Sequence, residues 1–165
     1  FPIIMATVND VPLDPAKPKK RFINSMIGWV ILFTILIVGA ILLQLGFVII
    51  GIAVVFILMI GWQWWYENAY YKNYFYDIQP EFLNIKKGVI TPREAIFPYE
   101  KLQDVYVDQD IFDRLFGLWD VHISTATMLS GMEAHIDGVS EENSKKLRDM
   151  ILTKIKEAKR KTGAN

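Results

Sequence analysis

Two histidines are weighed first, because the chain has no others and no cysteine. His122 lies in the stretch 119–125, where Trp119, Val121 and Ile123 alternate with Asp120, His122 and Ser124. A period of two is that of a half-buried strand. His135 lies in 132–137, where Met132, Ala134 and Ile136 alternate with Glu133, His135 and Asp137. A hairpin with its apolar positions on one side sets Ile123 against Ala134 and Val121 against Ile136. The same register sets His122 opposite His135, Asp120 opposite Asp137 and Ser124 opposite Glu133. Two imidazoles with carboxylates nearby could hold Zn2+ or act as a pH-sensitive pair. The alternative is a solvated outer face of ordinary polar groups, and a slip of two residues also undoes the pairing. Asp120, His122 and Ser124 do not make a catalytic triad, since alternate residues of one strand stand in a row and do not converge.

A second set is cationic. Lys86, Lys87 and Arg93 flank one turn and could touch anionic lipid headgroups; the alternative is a solvated turn. The sequence carries no glycine-rich phosphate loop, no paired metal-ligand motif and no nucleophile elbow. The absence of cysteine excludes disulfides, thiol catalysis and iron–sulfur sites. Eighteen basic residues balance eighteen acidic ones, which gives no case for nucleic-acid binding. The expectation is a protein that is not an enzyme and needs no cofactor.

The elements that position these residues are organised around Phe22 to Tyr66, a stretch with no Asp, Glu, Lys or Arg. A helix needs about 20 apolar residues to cross a hydrocarbon core. This stretch is long enough for two, broken at Gln44-Leu45-Gly46, so it predicts membrane helices over Phe22–Leu43 and Phe47–Tyr66. Gly39-Ala40 and Gly51 with Ala53 are candidates for close helix approach. With no ionisable residue inside either span, the hairpin reads as an anchor and not a transport pathway. Trp62, Trp64, Trp65, Tyr66, Tyr70 and Tyr71 cluster at the exit of the second span, where amphipathic rings favour the headgroup layer. Lys17, Lys19, Lys20 and Arg21 precede the first span, and Lys72, Lys86 and Lys87 follow the second. That asymmetry places both termini in the cytoplasm of a plasma-membrane, multi-pass protein. Met5 reads as the natural start, with four residues added before it, and the first span is too long for a cleaved signal peptide.

Outside the membrane, residues 6–20 hold Pro12, Pro15 and Pro18 and read as an extended or disordered arm. Short strands are expected over 73–78, 81–87, 94–97, 101–108, 119–125 and 132–137, with a helical turn over 111–117. Ser140 then caps a helix with Glu141 and Glu142 in its first turn and Lys159, Arg160 and Lys161 in its last. Leu147, Met150, Ile151, Ile155 and Ala158 form one apolar stripe along it. No Gly or Pro occurs between Gly61 and Pro80, so the second helix is expected to run past the membrane with little slack before the first strand. The resulting division is an N-terminal arm over 1–21, a transmembrane hairpin with its extension over 22–71, and a β domain over 72–165.

This order of elements resembles the membrane-anchored bacterial pleckstrin-homology-like (YdbS-like) family. The likeness is carried by Tyr76 to Leu83, Lys87 to Ile90, Ile96 to Val105 and Phe112 to Ala126, with Arg114-x-x-Gly117 before the Val121-x-Ile123 strand as its most specific piece. The layout extends over about residues 22–160. The resemblance implies a PH-like α+β fold: a partly open antiparallel β-barrel capped by a C-terminal helix. It implies little about activity, since this fold hosts many binding roles. In lipid-binding members, basic residues of the first hairpin loop grip phosphates; here that loop, Ile78-Gln79-Pro80-Glu81, has no base. The expected role is a scaffold that binds a membrane protein partner or a second copy at the membrane, through a strand edge or the anchor. Recognition of membrane lipids by Lys86, Lys87 and Arg93 is the alternative.

Overall fold

The computed structural model describes residues 6–7, 9–125 and 134–163. Residues Pro18–Lys72 form one compact unit and the residues on either side form a second.

The first unit holds most of α1, Lys17–Leu42, and α2, Gly46–Asn73. Each is long and apolar enough to cross a membrane by length and composition. Helix α1 begins five residues before the apolar stretch because Pro18 is tolerated in a first turn, where backbone N–H groups have no intrahelical acceptor. Asp14 starts that turn: its Oδ1 accepts from the Ala16 N–H at 2.8 Å and its carbonyl from the Lys17 N–H at 3.0 Å. Between the helices the left-handed residue is Gln44, at φ 57°, and the Leu45 N–H reaches back to the Ala40 carbonyl. Phe33 and Phe56 meet with ring centroids 4.6 Å apart, and Ala40 is buried. Gly39 and Gly51 do not serve the close approach expected of them, since a Cβ on either would meet no neighbour. The phenylalanine pair sets the helix spacing instead. At the other end of the hairpin, Arg21 Nε lies 2.6 Å from Glu67 Oε2, Gln63 donates to Glu67 Oε1, and the Arg21 guanidinium sits over the Tyr70 ring. Arg21 thereby neutralises a buried Glu67.

The second unit is two antiparallel sheets and a helix. One sheet has the order β1-β2-β3-β4, from Ala6–Thr7, Phe75–Ile78, Phe82–Lys87 and Arg93–Pro98. The other has β5-β6-β7, from Leu102–Asp108, Trp119–Thr125 and His135–Val139. No ladder joins the two sheets among the described residues, so the barrel is not closed by strand pairing. The inward positions are the apolar ones of the period-two pattern: Tyr76 and Ile78 on β2, Leu83 and Ile85 on β3, Val121 on β6 and Ile136 on β7 are all fully buried. Helix α3, Ile111–Phe116, is fixed by a reciprocal capping box between Asp110 and Asp113 and closes at Gly117 in the left-handed region. Helix α4, Glu141–Gly163, lies on the sheets through Leu147, Ile151 and Ile155. Met150 and Ala158 flank that stripe and are half-buried. The expected strand over 132–137 is a strand over His135–Val139; Met132 and Glu133 lie outside the described residues.

Of the two readings of the arm, the extended one holds over 12–14 and the disordered one does not: Val11 and Leu13 are core residues, and 17–20 already belong to α1. The low apolar content of the arm concealed this, because two apolar side chains in alternation are enough to seat one extended segment.

Ile151 has no exposed surface, so Ile151→Asp buries an unpaired carboxylate. A loss of several kcal/mol is expected, a large share of a small domain's stability. Thermal unfolding of the variant and the parent chain measures it.

Candidate functional site

The polar groups of the second unit converge where β7 meets the arm. Asp137 is the centre. Its Oδ2 lies 3.0 Å from Lys17 Nζ and its Oδ1 3.6 Å from Lys87 Nζ. Lys17, 1% exposed, also donates to the Asp137 carbonyl at 2.8 Å and stands 3.5 Å above the Tyr74 ring. The Tyr74 hydroxyl donates to the His135 carbonyl. Lys87 Nζ lies 3.3 Å from each ring nitrogen of His135, one of which accepts in the neutral imidazole. Burial alone would raise the Asp137 carboxyl. The ammonium of Lys17, with Lys87 and His135, outweighs it and holds the carboxyl well below the usual carboxylate range.

Backbone geometry makes the approach possible. Gly138 sits at φ 73°, and a Cβ there would lie 2.6 Å from Lys17 Cδ. Only glycine lets the lysine stem pass over β7 in that conformation. Tyr76 adds a second tie, since its hydroxyl donates to the Val11 carbonyl. Burial, and then the Asp10 carboxylate, push its phenol up, so it remains a donor.

The expected histidine register is present: His122 is the cross-strand partner of His135. Tyr106, His122 and His135 stack across β5, β6 and β7, with centroids 5.0 and 5.5 Å apart and rings tilted by 8° and 12°. His122 Nε2 lies 3.1 Å from Asp108 Oδ1. Asp120 does not face Asp137 as expected. A register shift between Trp119 and Val121 displaces it, and its Oδ1 accepts from the Gly138 N–H at 2.7 Å. Ser124 opposite Glu133 falls outside the described residues. Parallel rings direct their lone pairs along separate planes, and an ammonium against His135 repels a second cation. Among the described residues no three His, Asp or Glu side chains are grouped to hold a metal ion.

The cationic set is divided in the same way. Lys86 and Lys87, adjacent on β3, point to opposite faces. Lys87 turns inward to Asp137 and is almost fully buried, while Lys86 stands outside in register with Phe75 and Glu94. Arg93 pairs across the ladder with Lys87 but is exposed at the strand's end. The three do not form one patch. In the other unit Trp62, Trp64 and Trp65 are exposed, with Trp62 and Trp65 5.1 Å apart; Tyr66, Tyr70 and Tyr71 follow on the same helix, half-buried. Sequence reasoning missed Lys17 and Tyr74. Lys17 was masked by the basic run it belongs to, and the signal for its role, Gly138, lay one residue past the expected strand; the structure carries the strand through it to Val139.

This chain belongs to the bacterial PH domain family, whose model matches residues 22–155. The match takes in the apolar stretch of both helices, strands β2 to β7 and most of α4, and leaves out β1 and the arm. No curated relative and no solved structure matches the chain.

Asp137→Asn leaves Lys17 and Lys87 buried around a neutral side chain, at an expected cost of about 3 kcal/mol or more. The folded-state carboxyl titrates below its ordinary 3.8, so its contribution is complete above that value and fades as pH falls through and below it. The stability gap between parent and variant is therefore expected to be constant from neutral pH down to the carboxylate range and to shrink below it. Denaturant melts across acid pH check this.

Proposed function

We propose that this PH-domain protein is a scaffold of the cytoplasmic membrane face, anchored by the hairpin over 22–71 and presenting the domain over 72–165 to a membrane protein partner or a second copy. The observation that carries this reading is the apolar surface of α1 and α2. Ile35, Leu42, Phe47 and Ile50 are strongly exposed, and almost none of either apolar stretch is buried within the chain. A helix that is apolar on all sides and not covered by protein is at home in hydrocarbon. The ionisable groups at the seam close on one another, which supports binding and not catalysis. The basic residues that flank the apolar stretch, Lys17 to Arg21 in the first turns of α1 and Lys72 in the last turn of α2, support cytoplasmic termini. Helix α2 ends at Asn73 and β2 begins at Phe75, which supports a short connection between anchor and domain.

A second reading is favoured by one feature. Lys86 lines an open concavity of about 480 Å3 with Phe75, Gly88, Val89, Pro92 and Glu94. An ammonium beside an apolar wall suits an anionic phospholipid headgroup, with Glu94 opposing it.

Reporter fusions at the two termini are expected to be active only in the cytoplasmic form at both ends; an externally active reporter at either end overturns the topology. For the second reading, the detergent-solubilised chain is titrated with short-chain phosphatidylserine and phosphatidylcholine. Preference for the anionic lipid, weakened by salt and removed by Lys86→Glu, is expected. Equal binding of the two lipids rejects headgroup recognition.

A further inference from the structure

Residues 9–17 of the chain pass between β2 and β7, extended over 12–14, with turns at 9–10 and 15–16 and with Lys17 opening α1. Their backbone follows β1, which pairs Ala6 with Ile78 and Thr7 with Asp77. The Val11 carbonyl then accepts from Tyr76, the Pro12 carbonyl from Asn143 at 2.9 Å, and the Asp14 N–H donates to the Gly138 carbonyl on β7 at 2.9 Å. Val11 and Leu13 point into the core while Pro12 between them is exposed, the alternation of an extended chain. Four residues after Leu13, the Lys17 ammonium reaches Asp137. The slot between β2 and β7 therefore recognises backbone at both edges, two apolar side chains in alternation and one cation. Its present occupant is irregular and forms no ladder: 9–10 and 15–16 are turns, and Pro12, in the extended part, has no N–H to give.

We propose that this slot is a peptide-docking groove, that residues 9–17 are its built-in occupant, and that an extended segment of a partner protein replaces them. Resting on the scaffold reading above, this gives the partner's chemistry. It carries two apolar residues separated by one, then Lys or Arg four residues further on, and has amide donors where the arm has prolines. Main-chain hydrogen bonds supply affinity in such strand addition and the alternate side chains supply selection. A tethered occupant acts at an effective concentration on the order of millimolar, so the partner must be held at the same membrane or bind more tightly than the arm.

The probe is a fluorescent synthetic peptide with the sequence of residues 9–20, added to the full chain in detergent and followed by anisotropy. Lys17→Met in the chain weakens the arm and leaves Asp137 in place. The peptide is expected to bind that variant about tenfold more tightly than the parent chain. A peptide carrying the same Lys17→Met change is expected to lose that gain. Equal binding of the two peptides to the variant, or of the natural peptide to both chains, overturns the proposal. If the variant does not fold, hydrogen exchange of residues 9–14 in the parent chain is read at rising peptide concentration. Faster exchange supports displacement and unchanged exchange overturns it. A chain that inserts with both termini cytoplasmic yet gives the overturning result rejects the groove alone and leaves the scaffold reading intact.

Discussion

The carboxylate of Asp137, held between Lys17 and Lys87, is the contact on which the second unit's architecture turns. Among the described residues neither sheet is closed onto the other by a ladder, so the edge of β7 must be satisfied in another way. A single carboxylate draws in one lysine from β3 of the opposite sheet and another from the start of α1, and the backbone of the arm follows the second. Burying three charges is unfavourable unless each has a partner. Here the Tyr74 ring, the His135 imidazole and the Asp137 carbonyl provide the remaining contacts.

The apolar hairpin was legible because its signal is additive: tens of residues without a charge leave few alternatives. The strands of both sheets were legible for a related reason, since one buried face imposes strict alternation; that alternation allowed the His122–His135 register, which a slip of two residues would have undone, and the structure has it. What could not be read was any contact that depends on a side chain leaving its element. Lys86 and Lys87 look alike in the sequence, yet strand parity sends one outward and the other to Asp137. Asp120 escaped prediction because one irregular step after Trp119 shifts it relative to β7. The arm escaped because Val11 and Leu13 are too few to register as a pattern, though each is buried as deeply as the strand residues.

The two units handle ionised residues by a shared rule. In the hairpin, Glu67 is covered by Arg21 and Gln63 near the helix ends. In the domain, Asp113 is covered within the α3 capping box and Asp120 takes the Gly138 N–H. Each of these three acids is met by a donor, as the penalty for an unmet charge requires. The basic run at the start of α1 is accordingly divided among tasks: Lys17 enters the core, Arg21 pairs with Glu67, and Lys19 stays exposed.

Lys17 and Asp137 are separated by 120 positions in the chain. At a ribosomal rate of about 5–20 residues per second, that separation corresponds to a delay of roughly ten seconds between the two ends of the contact. The arm is therefore synthesised first and seated last, after the apolar hairpin and nearly every strand have emerged. Until Asp137 is made, Lys17 belongs to the cationic flank that, on the proposed topology, holds the N-terminus on the cytoplasmic side. On that topology the same ammonium would serve two successive purposes, first in the cationic flank of the hairpin and then in the ion pair with Asp137.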